Sequence, residues 1–171
     1  YLRAAADRHL RVLLRVDAPR SPGEEPASPR ACAAYARFCQ ALVQRFKPWV
    51  HDWELENEPN IGNETPRLKP EDYVALARAA AKAIHTKDPE ARVYGPASAM
   101  LQCLADWPYP YIPKLLDAGL LDVVDVFSYH PYRQPYVTEN GPEHASEFHP
   151  WTRWGSYQRQ LEDLRAQLSR A

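Results

Sequence analysis

Two kinds of segment alternate along this chain, and that alternation limits the fold more than any other feature. Short apolar runs at Val12 to Asp17, His51 to Asn57, Ala91 to Ala97 and Val123 to His130 read as strands. Their near-continuous apolar character suits a parallel sheet buried on both faces. A helical pattern follows each one. Residues 28–46 open on Ser28-Pro29, a capping residue and a proline at the first helical position. Tyr35, Phe38, Leu42 and Phe46 then share a face. Residues 70–86 begin at Pro70, gather Tyr73, Ala77, Ala80 and Ile84, and stop at Asp88-Pro89. Residues 111–118 form a short helix with Gly119 as its cap. Residues 155–170 carry Tyr157, Leu161, Leu164 and Leu168 on one stripe.

The strands begin roughly 30–40 residues apart, the length of a repeated crossover unit. Such units build either an open doubly wound sheet or a closed eight-stranded barrel. No Gly-rich phosphate loop follows the first strand, which argues against a dinucleotide-binding sheet. Four units do not close a barrel, which takes about 250 residues. The residues by themselves leave both α/β architectures open, with the doubly wound sheet the weaker of the two. The loops at 17–28 and 131–153 both leave the C-terminal ends of strands, where barrel enzymes build their sites.

Composition narrows the partners. The chain is 45% hydrophobic and 25% charged, with a formal net charge of −1. That balance suggests neither nucleic acid nor an anionic membrane. The apolar runs are too short to cross a bilayer. Cys32 and Cys39 lie two helical turns apart, about 10 Å along the axis and out of disulfide reach; with Cys103 they read as small hydrophobes. His144 and His149 do not have metal-ligand spacing. No metal and no cofactor is expected.

The chemistry concentrates at the end of the second strand, in Trp53-Glu54-Leu55-Glu56-Asn57-Glu58-Pro59-Asn60. Cleaving a glycosidic bond takes one carboxyl group to protonate the leaving oxygen and a second to attack the sugar or activate water. The acid must hold its proton near neutral pH, so it should be partly desolvated and lack a tight cationic partner. Glu58 at a strand end meets that need, and Pro59 should hold it extended. Asn57 offers a donor and an acceptor to a sugar hydroxyl. Glu54 and Glu56 share the parity of Glu58 on a regular strand. At least one should point inward and need a partner, with Arg15 on the neighbouring strand the candidate for Glu54.

This octapeptide resembles the strand-4 signature of clan A glycoside hydrolases, most closely families 39 and 5. The resemblance implies a retaining mechanism, with Glu58 as acid/base and Asn57 contacting the sugar 2-hydroxyl. Ser128-Tyr129-His130-Pro131-Tyr132 resembles the strand-6 pattern of the same clan. It implies that His130 lines the site and that the Tyr132 hydroxyl hydrogen-bonds the nucleophile. The resemblance implies an α/β fold, a single partial (β/α)8 TIM barrel domain over residues 1–171 that is not closed and is a fragment of a longer protein, its four strands being strands 3 to 6 of the barrel. The nucleophile would be a glutamate on strand 7, beyond residue 171, and the 171 residues alone should be inactive.

Two carboxylates are decoys. Tyr136-Val137-Thr138-Glu139-Asn140-Gly141 resembles a family 1 nucleophile segment, but it starts too soon after Tyr132 for a parallel crossover. Asp17, at the mouth end of its strand, is the weaker candidate. Trp107, Tyr109, Tyr111, Trp151 and Trp154 could stack on sugar rings or simply pack loops onto helices. The partner implied is a carbohydrate substrate. The alternatives are a non-catalytic carbohydrate-binding barrel and a barrel enzyme of other chemistry.

Overall fold

The computed structural model describes residues 1–20, 23–61, 66–99, 110–130 and 157–171, excepting the side chains of 157–160. A short helix α1 (Leu2–Ala6) precedes strand β1 (Leu13–Val16). Then follow α2 (Pro29–Phe46), β2 (Asp52–Leu55), α3 (Pro70–Lys87) and β3 (Arg92–Ala99). A short α4 (Tyr111–Asp117), a 3-10 turn (Leu120–Asp122), β4 (Val126–His130) and α5 (Tyr157–Leu168) complete the order. The four strands form one parallel sheet in the order β1-β2-β3-β4. The alternation of strands and helices is as expected, and the sheet is the open α/β partial barrel that the resemblance implies.

The local signals for the helices hold. Ser28 caps α2 by accepting a hydrogen bond from the Ala31 amide at 3.0 Å. Gly119 ends α4 with φ +82°, a conformation that costs glycine little. The expected Tyr73, Ala77, Ala80 and Ile84 stripe of α3 is buried. The face of α2 is rotated from expectation. Tyr35, Cys39 and Val43 form its buried line, whereas Phe38 is 41% exposed. Four-residue steps follow the inner stripe more closely than the large aromatics do, because Phe38 lies one position off that line. The five-residue helix α1 is an addition to the expected alternation of strands and helices.

The main core lies between one face of the sheet and helices α2 and α3. Val16, Trp53, Leu55 and Val93 from the strands meet Tyr35, Cys39, Val43, Tyr73, Ala77 and Ile84. Cys39 behaves as the small hydrophobe expected, since burial pushes its thiol up to about 12. Cys103 lies outside the described residues.

Two tyrosines fasten these layers together. The Tyr35 hydroxyl of α2 donates to the Val16 carbonyl at 2.6 Å, and the Tyr73 hydroxyl of α3 donates to the Leu55 carbonyl at 3.2 Å. Val16 and Leu55 are partners in the β1–β2 register. Each helix is thus tied to the final carbonyl of the strand before it. Burial raises both phenol pKa values well above the ordinary range, so both remain donors.

At the opposite end of the sheet Asp52 collects Arg11, Arg92 and the Tyr94 hydroxyl, all within 3.0 Å. An acidic group only 6% exposed would be costly alone; here its oxygens are filled.

Candidate active site

Strand β2 ends earlier than its sequence pattern suggests. Regular pairing stops at Leu55, and the chain then turns left-handed at Glu56 (φ +65°) and again at Glu58 (φ +47°). Both values lie where non-glycine residues are uncommon. The expected common parity of Glu54, Glu56 and Glu58 therefore fails, and Pro59 does not hold Glu58 extended. Contacts on both neighbouring strands take precedence over the local bias. The Glu56 amide donates to Val16 O at 3.0 Å, and the Glu58 amide donates to Ala97 O at 3.1 Å.

Strand β3 is shaped to receive this turn. Its register with β4 shifts between Pro96 and Ser98, and Ala97 has φ +49°. Such an irregularity swings peptide groups out of the ladder. The Ala97 amide is met by the Ser128 hydroxyl at 3.0 Å, while its carbonyl receives Glu58. Two residues on, the Asn60 amide binds Ala99 from both sides. Its Nδ2 donates to Ala99 O at 2.7 Å, and its Oδ1 accepts from Ala99 N at 2.9 Å. Asn60 and Ser128 stand in the two sequence motifs, but their motifs assign them no role, and Ala97 carries no signal of its own. An Asn side chain's habit of bonding backbone near turns was the signal available for the first.

These contacts bring Glu58 and His130 together. The His130 Nδ1 lies 2.7 Å from Glu58 Oε1, although the residues come from the ends of β2 and β4 with β3 between. Their side chains are 23% and 29% exposed, partly desolvated but reachable. A proton can sit on either side of this contact. With Nδ1–H, the imidazole donates to a Glu58 carboxylate; with bare Nδ1, it accepts from a Glu58 carboxylic acid. The sequence suggested an acid without a tight cationic partner, whereas the geometry pairs it with a histidine, cationic only when protonated.

Glu56 is the inward-pointing carboxylate of the run, and it is 1% exposed. Its partners come from the loops that follow β1 and β2. Oε1 accepts from the Ala18 amide at 2.7 Å, and Oε2 accepts from Arg20 at 2.7 Å and Arg67 at 3.0 Å. Arg67 also donates to the Asn57 carbonyl at 2.6 Å, fixing the peptide that leads into Glu58. Arg15 pairs instead with Asp17 at 3.2 Å, two residues along its own strand end, where both side chains are half-exposed. Glu54 stays partly exposed, which relieves it of the need for an ion pair.

Asn57 lines an open cavity of about 380 Å³ with Arg15, Asp17, Ala18, Arg20 and Arg67. It lies on the C-terminal side of β1 and β2, as does Glu58. Tyr111, considered as a sugar platform, is instead a buried residue of α4, 1% exposed, because its ring completes the helix–sheet core. Tyr132, Glu139, Trp107, Tyr109, Trp151, Trp154, His144 and His149 lie outside the described residues. Among the described residues no group of three or more His, Cys, Asp or Glu side chains is arranged to hold a metal. No described helix is long and apolar enough to cross a membrane.

Solved structures share this architecture. The chain superposes on a family 39 glycoside hydrolase from the gut symbiont Bacteroides cellulosilyticus with a TM-score of 0.61 and 22% identity, over 87% of this chain and 30% of that one. This chain has part of the α/β barrel fold of that enzyme. A glucosidase from Croceicoccus marinus gives 0.56 and 20%, over 75% and 28%. A family 44 xyloglucanase from Paenibacillus polymyxa gives 0.53 and 18%, over 91% and 41%. The chain therefore spans less than half the length of each. No protein-family model matches it, and no curated protein does.

Proposed function

We propose that this chain supplies the acid/base half of a retaining O-glycoside hydrolase site, within a single barrel domain that continues beyond it. Glu58 first donates a proton to the leaving oxygen and then takes one from water. Asn57 orients the sugar. His130 holds one oxygen of Glu58 and leaves the other for substrate. Tyr132 and a nucleophilic glutamate from outside residues 1–171 complete the site, with the two carboxyl groups about 5–5.5 Å apart as retention requires. A carbohydrate is the substrate, and no cofactor takes part.

The observation that carries this reading is the 2.7 Å contact between Glu58 and His130. Two residues picked out by separate motifs meet across an intervening strand, at the end of the sheet where barrel sites form. The glycoside hydrolase fold of the neighbouring structures supports the same class of chemistry.

The test is turnover by the full-length protein carrying Glu58→Gln, on aryl glycosides graded by leaving-group pKa. Loss of the proton donor should slow poor leaving groups by about 10²–10⁴-fold and good ones far less. Equal rates across the series would falsify the assignment. Sugar binding without turnover in the unmodified protein would favour a carbohydrate-binding barrel instead.

A further inference from the structure

Ala97 is the extra residue of the irregularity in β3. Pro96 pairs with Ser128 and Ser98 with Tyr129, so Ala97 falls between two rungs of the β4 register. It is fully buried, and a buried backbone amide outside the ladder must find another partner. Strand β4 supplies one from a side chain. The Ser128 hydroxyl accepts from the Ala97 amide at 3.0 Å. On the β2 side, the Ala97 carbonyl accepts from the Glu58 amide at 3.1 Å. One residue thus connects Ser128 to the backbone of Glu58.

The same strand reaches the other end of Glu58. Ser128 and His130 lie two residues apart on β4 and so project from one face of it. His130 meets the Glu58 carboxyl group at 2.7 Å. The amide and the carboxyl group of Glu58 are therefore both referred to one face of one strand, through Ser128 and Ala97 at one end and through His130 at the other. Glu58 depends on such support because its φ is +47°, a backbone state that persists only where the surroundings fix it. Serine also stands out in its strand. Val126, Phe127 and Tyr129 around it are strong strand formers, and any of these side chains at 128 would leave the Ala97 amide without its acceptor.

From this geometry we infer that Ser128 is a positioning residue for the acid/base. By holding Ala97 it sets where the Glu58 backbone sits, and so how the carboxyl group lies between His130 and the leaving oxygen. The inference rests on the acid/base reading of Glu58.

The test uses the full-length protein and aryl glycosides graded by leaving-group pKa. Ser128→Ala should slow poor leaving groups by about 10–10²-fold, the loss that a small misplacement of a catalytic group brings. Good leaving groups should suffer far less, and KM should change little. Ser128→Thr keeps the hydroxyl and should restore the unmodified dependence. If Ser128→Ala does not fold, Ser128→Cys, with a weaker acceptor of similar shape, should show the same steepening. Combined with His130→Gln, Ser128→Ala should cost less than the product of the two single losses, since both act on one carboxyl group. A serine that served stability alone would lower every rate by one factor. Such a uniform loss, no loss, or a threonine variant no better than alanine overturns the role. Glu58→Gln, run alongside, separates the two readings. Steepening in Glu58→Gln without steepening in Ser128→Ala removes the positioning role and keeps the acid. A flat series for Glu58→Gln, or no turnover of any glycoside, removes the acid and the role of Ser128 with it.

Discussion

The side chain of Asn60 is bonded to the backbone of Ala99 in both directions, as a neighbouring strand would be. The turn that carries Glu58 is thereby held to β3 at two points, through the Glu58 amide on Ala97 and through Asn60 on Ala99. An acid on a turn is only as well aimed as the turn is fixed.

Asn60→Ala should therefore destabilise the protein by about 1–3 kcal/mol, since it strips partners from a backbone amide and carbonyl at a residue only 2% exposed. Asn60→Asp keeps the acceptor and loses the donor, so its cost should differ from that of alanine. Urea midpoints of the two variants check this. Midpoints equal to the unmodified protein's would mean the clamp contributes nothing.

Glu56→Ala should be worse. It removes the carboxylate on which Arg20 and Arg67 converge and leaves two charges facing each other. Breaking a buried pair from one side costs about 3–5 kcal/mol; here the arginines are a third exposed, so about 2–3 kcal/mol is expected. Glu56→Gln keeps the shape and should cost less. Thermal denaturation of both variants ranks them.

Gly95 lies against Tyr73. A methyl group at Gly95 would overlap the Tyr73 hydroxyl, the group that donates to Leu55 O. Gly95→Ala should thus cost about 1–3 kcal/mol by overpacking. Tyr73→Phe removes the clashing oxygen, so the double variant should be more stable than the sum of the single losses. Strict additivity in the four denaturation curves would contradict the contact.

Acid should weaken the fold through Asp88, at the end of α3. Burial by itself would raise the Asp88 pKa. Hydrogen bonds from His51 at 2.7 Å and Lys47, and their charges, outweigh that and hold the carboxyl below its usual value. A carboxyl with a lowered folded pKa stabilises above its unfolded pKa, about 3.9. That contribution is lost as pH falls through the lower folded value. Asp88→Asn should lower stability at neutral pH, and its urea midpoint should approach that of the unmodified protein as pH falls through the lowered folded value. A constant gap between the two across that range would exclude Asp88 as the acid-sensitive group.

The sequence carries the fold well because periodicity reports burial directly. The Tyr73-Ala77-Ala80-Ile84 stripe and the Ser28 and Gly119 boundaries follow from local chemistry alone. Phe38 misleads because the size of an aromatic side chain does not fix its position around the helix. The site is legible in its residue types and less so in its geometry. The left-handed turns at Glu56 and Glu58 and the irregularity at Ala97 depend on contacts between strands more than thirty residues apart. No local window contains both partners. Arg15 shows the same limit, since registry with Glu54 puts the two backbones side by side without directing the side chains at each other.

The two tyrosine ties have a further bearing on how such a chain can change. Tyr35 and Tyr73 fasten each helix to the last carbonyl of its own strand, on the far side of the loops at 17–28 and 56–69. The ends of each loop are thus held whatever the residues between them do. Much of the segment at 17–28 can be rewritten, lengthened or exchanged between relatives while the strand ends keep their places. Diversification can then proceed within that segment while the strand ends tied by Tyr35 and Tyr73 are inherited unaltered.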